Sequence, residues 1–198
     1  MRKLILQMQV SVDGYVGQKG RDPGWQLWDW GDKCPWDEEL QAEFNKFFNA
    51  VGTILLSRKI VEGGYIDHWT EIAKKHPRAA TFAFAHRVVA AQKVIFSNTL
   101  KTSPRPEAEL ASKPLVEAID DLKKQPGTNL VAFGGAGFAS SLIANDLIDE
   151  FQFYTNPIAL HKGLSIFENK GIDQDLELVD AKPYSCGIVV SKWIPRGR

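Results

Sequence analysis

The sequence predicts a single α/β domain over residues 1–198, with a mostly parallel central sheet, helices on both faces and an antiparallel C-terminal hairpin. Three observations support this fold class. Short, near-continuous apolar runs alternate with helical patterns, as in strands that are buried on both faces of a parallel sheet. The last part of the chain contains strand patterns with little helix between them. The length of 198 residues suits one well-filled core.

The elements follow in chain order. Apolar runs predict strands at Lys3–Val10, Gly52–Ser57, Lys93–Ser97 and Asn129–Gly135. Apolar periodicity predicts helices at Glu38–Val51, Arg78–Ala91 and Leu115–Gln125, and a short one at Phe138–Ala144. Asp37 is expected to cap the first helix, because an acidic first turn follows it. Strand alternating with helix in this way favours an α/β domain.

The C-terminal part is predicted to be antiparallel. Its strand patterns are EFQFYTNPIAL, LELVDAKPY and CGIVVSKWI, and the last two are joined by a tight turn near Ser185–Gly187. The segment Lys101–Pro114 is the most loop-like stretch and is interpreted as a connection within the domain.

Composition limits the possible partners. Lys plus Arg and Asp plus Glu both number 24, so the formal charge is zero, and we expect neither nucleic acid nor a membrane surface as a partner. No apolar stretch approaches the roughly 20 residues of a membrane span. The two cysteines, Cys34 and Cys186, form neither a disulfide framework nor a metal motif, and we expect no metal and a cytoplasmic location.

The strongest local signal is the sequence LVAFGGAGFASSLI, residues 130–143, in which a buried strand enters a helix through glycines. Glycines at such a turn let backbone N–H groups approach a phosphate at the positive end of the helix. The spacing does not match the usual dinucleotide fingerprint. The alternative is a tight strand–helix turn that binds nothing, and the two readings have about equal weight.

Two further strand ends carry suitable side chains for a phosphorylated nucleotide. The second strand ends in Ser57, Arg58 and Lys59, and the third in Ser97 and Asn98. Each group alone is typical of a solvated loop. Since the carboxyl ends of parallel strands share one sheet edge, all three groups together predict a binding site there.

The segments VSVDGYVG, ILLSRKI, KVIFSNTL, VAFGGAGFASSLI, LIDEFQFYTNPIAL and GLSIF, in this order, resemble the dihydrofolate reductase-like superfamily. Within it the sequence is most similar to the reductase domain of riboflavin biosynthesis. The resemblance implies NADPH as cofactor and a homodimer. It also implies that Arg58 and Lys59, with Ser97 and Asn98, hold the adenosine and its 2′-phosphate. Gly134, Gly135 and Gly137, with Ala136 and Phe138 alongside, would hold the pyrophosphate. Ser57 and Ile60 replace the family's Gly and Thr around Arg58, so one hydroxyl is missing.

Two acids are candidates for catalysis. Glu43 falls at the margin of the apolar stripe of the first helix, where partial burial would raise its pKa, and the related reductases carry an acid on this helix. The alternative is a glutamate that reaches water. Asp13 follows the first strand and is either a turn residue or part of the substrate site.

The loop GWQLWDWGDKCPWD, residues 24–37, contains four of the six tryptophans. Indole stacks well on flat rings, and hydride transfer needs water kept out, so Trp28, Trp30 and Trp36 are predicted to contact the substrate. They would otherwise form a small core or a dimer interface. The predicted function is an NADPH-dependent reductase acting on a small heteroaromatic or ribosylaminopyrimidine-like substrate. The alternatives are a promiscuous pterin or carbonyl reductase and a non-catalytic NADPH-binding protein.

Overall fold

The computed structural model describes residues 1–20, 25, 34–168 and 173–197. Within these ranges eight strands form one sheet: β1 (Leu4–Ser11), β2 (Val51–Ser57), β3 (Gln92–Phe96), β4 (Glu109–Leu110), β5 (Asn129–Ala132), β6 (Glu150–Asn156), β7 (Leu176–Pro183) and β8 (Val189–Pro195). The α-helices of the same ranges are α1 (Glu38–Phe47), α2 (Arg58–Glu62), α3 (Tyr65–Lys75), α4 (Ala83–Ala90), α5 (Leu115–Lys124) and α6 (Ala136–Ala144).

The strand order is β4-β3-β2-β5-β1-β6-β8-β7. The first six strands in this order, from β4 through β1 to β6, pair in parallel. Strand β8 pairs antiparallel with both β6 and β7. Helices α1, α3 and α4 pack on one face of the sheet, and α5 and α6 pack on the other. The predicted α/β fold with an antiparallel C-terminal pair is confirmed.

Several boundaries differ from the prediction. Helix α1 ends at Phe47, because a 3-10 turn at Phe48–Ala50 leads the chain directly into β2. Helix α4 begins at Ala83, where the Asn45 side chain of α1 accepts a hydrogen bond from the Phe84 N–H at 2.7 Å. Helix α3 was not predicted. Its buried side chains, Tyr65, Ile66, Trp69 and Ala73, follow a helical spacing.

Within the described ranges, the helices lack the combination of length and apolar character that a membrane span requires. No group of three or more metal-ligating side chains lies together among these residues.

Asp37 joins the start of α1 to the turn between β7 and β8. Its carboxylate accepts a hydrogen bond from the Leu40 N–H at 2.8 Å, which confirms the predicted cap. It also accepts from the Ser185 hydroxyl at 2.8 Å and from the Cys186 N–H at 3.1 Å. These bonds lower the pKa of Asp37 to about 2, and the bond from the Leu40 N–H has the largest effect.

Replacing Asp37 by Ala is expected to lower the free energy of unfolding by about 1–2 kcal/mol at pH 7, since an N-cap and two tertiary hydrogen bonds disappear. Because the folded pKa lies below the unfolded value of about 3.9, the contribution is complete above about pH 4 and is lost as the pH falls toward 2. Urea denaturation at pH 7 and pH 3 measures both effects. The D37N variant keeps a capping side chain and should lose mainly the pH dependence; a D37A midpoint equal to wild type would contradict the assignment.

Candidate active site

Three predicted strand ends lie side by side at one edge of the sheet. Ser57 pairs in register with Phe96 of β3, so Arg58 and Ser97 both come directly after paired residues. Leu55 of β2 pairs with Ala132 of β5, which places the glycine turn after β5 beside the end of β2. The topology therefore brings together the three groups that the sequence predicted at one edge.

The glycine turn requires glycine for two physical reasons. Gly134 has φ 138° and Gly135 has φ 63°, conformations that side chains disfavour. A Cβ on Gly135 would lie 2.7 Å from Ser57 Oγ, so the turn after β5 packs tightly against the turn after β2. Helix α6 begins immediately afterwards, without a side-chain cap and without an acid in its first turn. Its first N–H groups are therefore available to an anion.

The other predicted cofactor residues have local partners. Ser57 Oγ caps α2 by accepting from the Ile60 N–H, and Ser97 Oγ accepts from the Thr99 and Leu100 N–H groups at 3.1 Å each. The Arg58 guanidinium donates to both carboxylate oxygens of Glu62, at 2.8 and 3.0 Å. Three more of the predicted residues, Lys59, Asn98 and Gly137, are exposed.

Phe138 has a packing role in the fold. Its ring stacks on Phe96 with the ring centroids 5.2 Å apart. The contact joins α6 to the end of β3, and it gives a structural reason for an aromatic residue at this position.

A cavity of about 300 Å³ opens beside the glycine turn. Gly134, Gly135 and Ala136 form part of its wall, and Gln7, Met8 and Gln9 of β1 form another part. Aromatic rings complete much of the wall. They come from α1 and the residues that flank it, from α3 and α4, and from the residue after β5, namely Trp36, Phe44, Phe48, Tyr65, Trp69, Phe84 and Phe133. The cavity volume is at the lower end of the range of about 300–1,000 Å³ for small-molecule sites.

The rings of the wall hold one another in place. Trp36 stacks on Tyr154 at 5.2 Å with an interplanar angle of 16°, and Phe133 stacks on Phe48 at 5.6 Å and 12°. Trp69 meets Phe84 edge to face at 4.8 Å. Burial raises the pKa of Tyr65 well above its ordinary value, so its hydroxyl stays protonated at neutral pH.

The predicted tryptophans divide into two groups. Trp36 lies in the cavity wall and is 3% exposed. Trp28 and Trp30 lie outside the described residues. Trp25 is half-buried and is not among the lining residues.

Asp13 holds a turn together. Its carboxylate accepts from the Ser11 hydroxyl at 2.6 Å, from the Leu160 N–H at 3.1 Å and from the His161 N–H at 2.6 Å. These bonds, that from Ser11 first, lower its pKa to about 2. Asp13 does not belong to the residues that line the cavity, and its bonds agree with the turn interpretation.

Of the two alternatives for Glu43, the structure agrees with the glutamate that reaches water. Helix α1 buries Leu40 and Phe44 against the sheet, and Glu43 lies just outside that stripe with an exposed side chain. It is absent from the cavity wall. A catalytic role of Glu43 stays a prediction.

Most of the wall was missed by sequence reasoning. Tyr65 and Trp69 belong to the unpredicted helix α3, and Phe84 and Val88 lie in α4, a predicted helix whose side chains were not among the predicted site residues. The amphipathic spacing of residues 65–75 was a signal for the helix. No local signal separates a ring that lines a cavity from one that fills a core.

Comparison with known proteins gives the family. A model of the RibD C-terminal domain matches residues 2–190. Uncharacterized protein YyaP of Bacillus subtilis (strain 168) is 27% identical over 189 residues, which are 95% of this chain and 92% of that protein.

Two solved structures share the fold. A diaminohydroxyphosphoribosylaminopyrimidine deaminase/5-amino-6-(5-phosphoribosylamino)uracil reductase from Thermotoga maritima matches with a TM-score of 0.68 and 14% identity, covering 98% of this chain and 56% of that one. Dihydrofolate reductase from Enterococcus faecalis, complexed with NADP(H), matches with a TM-score of 0.60 and 14% identity, covering 98% and 96%. Because the family model spans residues 2–190, nearly the whole chain, the protein belongs to the RibD C-terminal domain family.

Proposed function

We propose that this protein is an NADPH-dependent reductase that transfers hydride to a small ring compound held in the aromatic cavity. The carrying observation is the uncapped N-terminus of α6, which the Gly134–Gly135 turn presents beside that cavity. Membership of a reductase family supports the proposal, as does the structural likeness to a dihydrofolate reductase complexed with NADP(H). When bound, the cofactor supplies the hydride.

The residues at the sheet edge fit a dinucleotide. The first-turn N–H groups of α6 would hold the pyrophosphate, and the missing side chains of Gly134 and Gly135 allow close approach. Arg58 and Ser97 follow paired strand residues and would hold the 2′-phosphate. The ion pair of Arg58 with Glu62 has exposed partners, at 38% and 50%, so it is worth at most about 1 kcal/mol and a phosphate can displace it.

The chain's own part in the reaction is orientation and exclusion of water. The rings of Trp36, Trp69 and Phe133 would fix the plane of a flat substrate next to the glycine turn. Since Glu43 is exposed, we propose that the proton comes from water at the cavity mouth.

The proposal is tested by tryptophan fluorescence, because Trp36 and Trp69 line the cavity. We expect NADPH to bind in the micromolar range and NADH at least about tenfold more weakly, a difference of about 1.4 kcal/mol. An R58A variant should bind NADPH more weakly than wild type, with a nearly unchanged affinity for NADH. The matched control is R196A. Arg196 is exposed and follows β8, which lies toward the other end of the sheet from β2 and β3. No response to either nucleotide would remove the reductase assignment, and binding without NADPH oxidation would favour a non-catalytic NADPH-binding protein.

We also propose a cytoplasmic homodimer. Strand β7 forms one edge of the sheet, and its Leu178 and Val179 side chains are 49% and 57% exposed. Pairing with a second copy would cover these apolar side chains.

A further inference from the structure

The cavity wall carries no charge among the residues that the structure describes. Its polar groups are the amides of Gln7, Gln9 and Gln18, the Tyr65 hydroxyl and the indole N–H groups of Trp36 and Trp69, all of them uncharged; the other side chains of the wall are apolar. Two of the amides are already engaged within the protein. Gln18 Nε2 donates to the Lys162 carbonyl oxygen at 3.2 Å, and the Gln7 side chain is hydrogen-bonded to Tyr154.

The charged side chains near the site are held elsewhere. Arg58 is paired with Glu62, and Asp13 is bound to backbone N–H groups of the loop at Leu160 and His161. Glu43 and Lys59 are exposed and absent from the wall. Among the described residues, therefore, no side chain of the wall supplies a counter-charge to a charged group placed among the rings. The first N–H groups of α6, which could bind an anion, are assigned to the cofactor's pyrophosphate.

This loss decides which substrates the cavity accepts. An ionised phosphate that is buried without a partner loses far more free energy than a ring gains by stacking. A neutral ring gains contact with several aromatic faces at once, and an aromatic pair contributes about 0.5–1.5 kcal/mol beyond the area it buries. The cavity volume of about 300 Å³ suits a single small ring system.

We propose that the substrate is an uncharged, planar, conjugated ring compound without a phosphate group. The proposal rests on the reductase function above and narrows it, since it separates this chain from reductases of phosphoribosyl substrates. Phe133 and Ile60 are the specificity-determining residues that test it. Phe133 supplies a ring that stacks on Phe48 and Tyr65, and Ile60 lies at the glycine turn, 4.0 Å from a Cβ built on Gly135.

The test uses 1-naphthol and 1-naphthyl phosphate, which share one ring system and differ in charge. Isothermal titration calorimetry on the full chain gives the affinities, with saturating NADP⁺ present so that the proposed anion site at the start of α6 is occupied. We expect 1-naphthol to bind at least about tenfold more tightly than its phosphate. The phosphate binding as tightly as 1-naphthol, or neither compound binding, would overturn the proposal.

Two variants sharpen the result. F133L keeps an apolar side chain but removes a ring, and it should lower the affinity for 1-naphthol by about three- to tenfold. I60R adds a cation to the wall and should raise the affinity for 1-naphthyl phosphate by at least about tenfold. The matched control V116R adds the same charge to exposed Val116 of α5, on the other face of the sheet, and should change neither affinity. An I60R protein no better at binding the phosphate than V116R would overturn the proposal.

The same preparations are titrated with NADPH, so two failures can be told apart. NADPH binding together with a preference for 1-naphthyl phosphate would agree with the reductase function and contradict the proposed substrate class. Selective 1-naphthol binding without NADPH binding would support a cavity for neutral rings and contradict the proposed reductase function.

Discussion

Gly135→Ala is expected to lower the free energy of unfolding by about 1–3 kcal/mol and to weaken NADPH by about tenfold or more. Gly135 has φ 63° and ψ 108°, outside the regions that residues with a Cβ readily adopt. The new Cβ would also lie 2.7 Å from Ser57 Oγ, so Ser57 must move from its capping position on α2. Strain and displacement both act on the turn that is proposed to hold the pyrophosphate.

Gly137→Ala is the matched control, since it makes the same chemical change two residues later. Gly137 lies inside α6, and an added Cβ meets no atom within 4 Å. Alanine is favoured over glycine in a helix by about 0.5–1 kcal/mol, so this variant should equal or exceed the wild-type stability. Its backbone N–H is retained, and NADPH binding should persist. Urea denaturation and fluorescence titration measure both properties; equal stability of the two variants would contradict the strained geometry at Gly135.

The parts of the fold that depend on local pattern were predictable from sequence. Apolar runs marked β1, β2, β3 and β5, because strands buried on both faces have no polar alternation. The start of α1 followed from Asp37, whose carboxylate caps the helix as its position predicted. The convergence of the turns at Arg58, Ser97 and Gly134 followed from parallel pairing alone.

The cavity depended on contacts between distant segments, and here sequence reasoning failed. Helix α3 was not predicted, and it begins directly after Gly64, whose φ of 85° lies in the left-handed region. Tyr65 and Trp69 enter the wall from that helix. The sequence left the burial of Glu43 open for a related reason. A position at the edge of an apolar stripe faces the core or water according to the packing of the neighbouring helices, which spacing does not reveal.

Phe84→Ala is expected to lower the free energy of unfolding by about 3–5 kcal/mol, the largest effect proposed for a single residue of this protein. Phe84 is 1% exposed, and its ring lies 5.3 Å from Phe44, 5.8 Å from Phe48 and 4.8 Å from Trp69. Truncation removes contacts with α1 and α3 at once and leaves a void that the surrounding rings fill poorly. The loss is a large part of the roughly 5–15 kcal/mol that stabilises a typical domain.

The same truncation tests the link between core and site, because Phe84 belongs to the cavity wall as well as to the core. The matched control is Val89→Ala on the same helix, five residues later, where the side chain is 41% exposed and the change should stay within about 0.5 kcal/mol. Urea denaturation with unchanged m-values gives the stabilities, and calorimetry under folding conditions gives 1-naphthol affinity. We expect F84A to lose stability and ring binding together and V89A to lose neither. An F84A protein within about 1 kcal/mol of wild type would contradict the packing of α4 against α1 and α3, and an unstable F84A that still bound 1-naphthol normally would show that the ring subsite is formed by other rings of the wall.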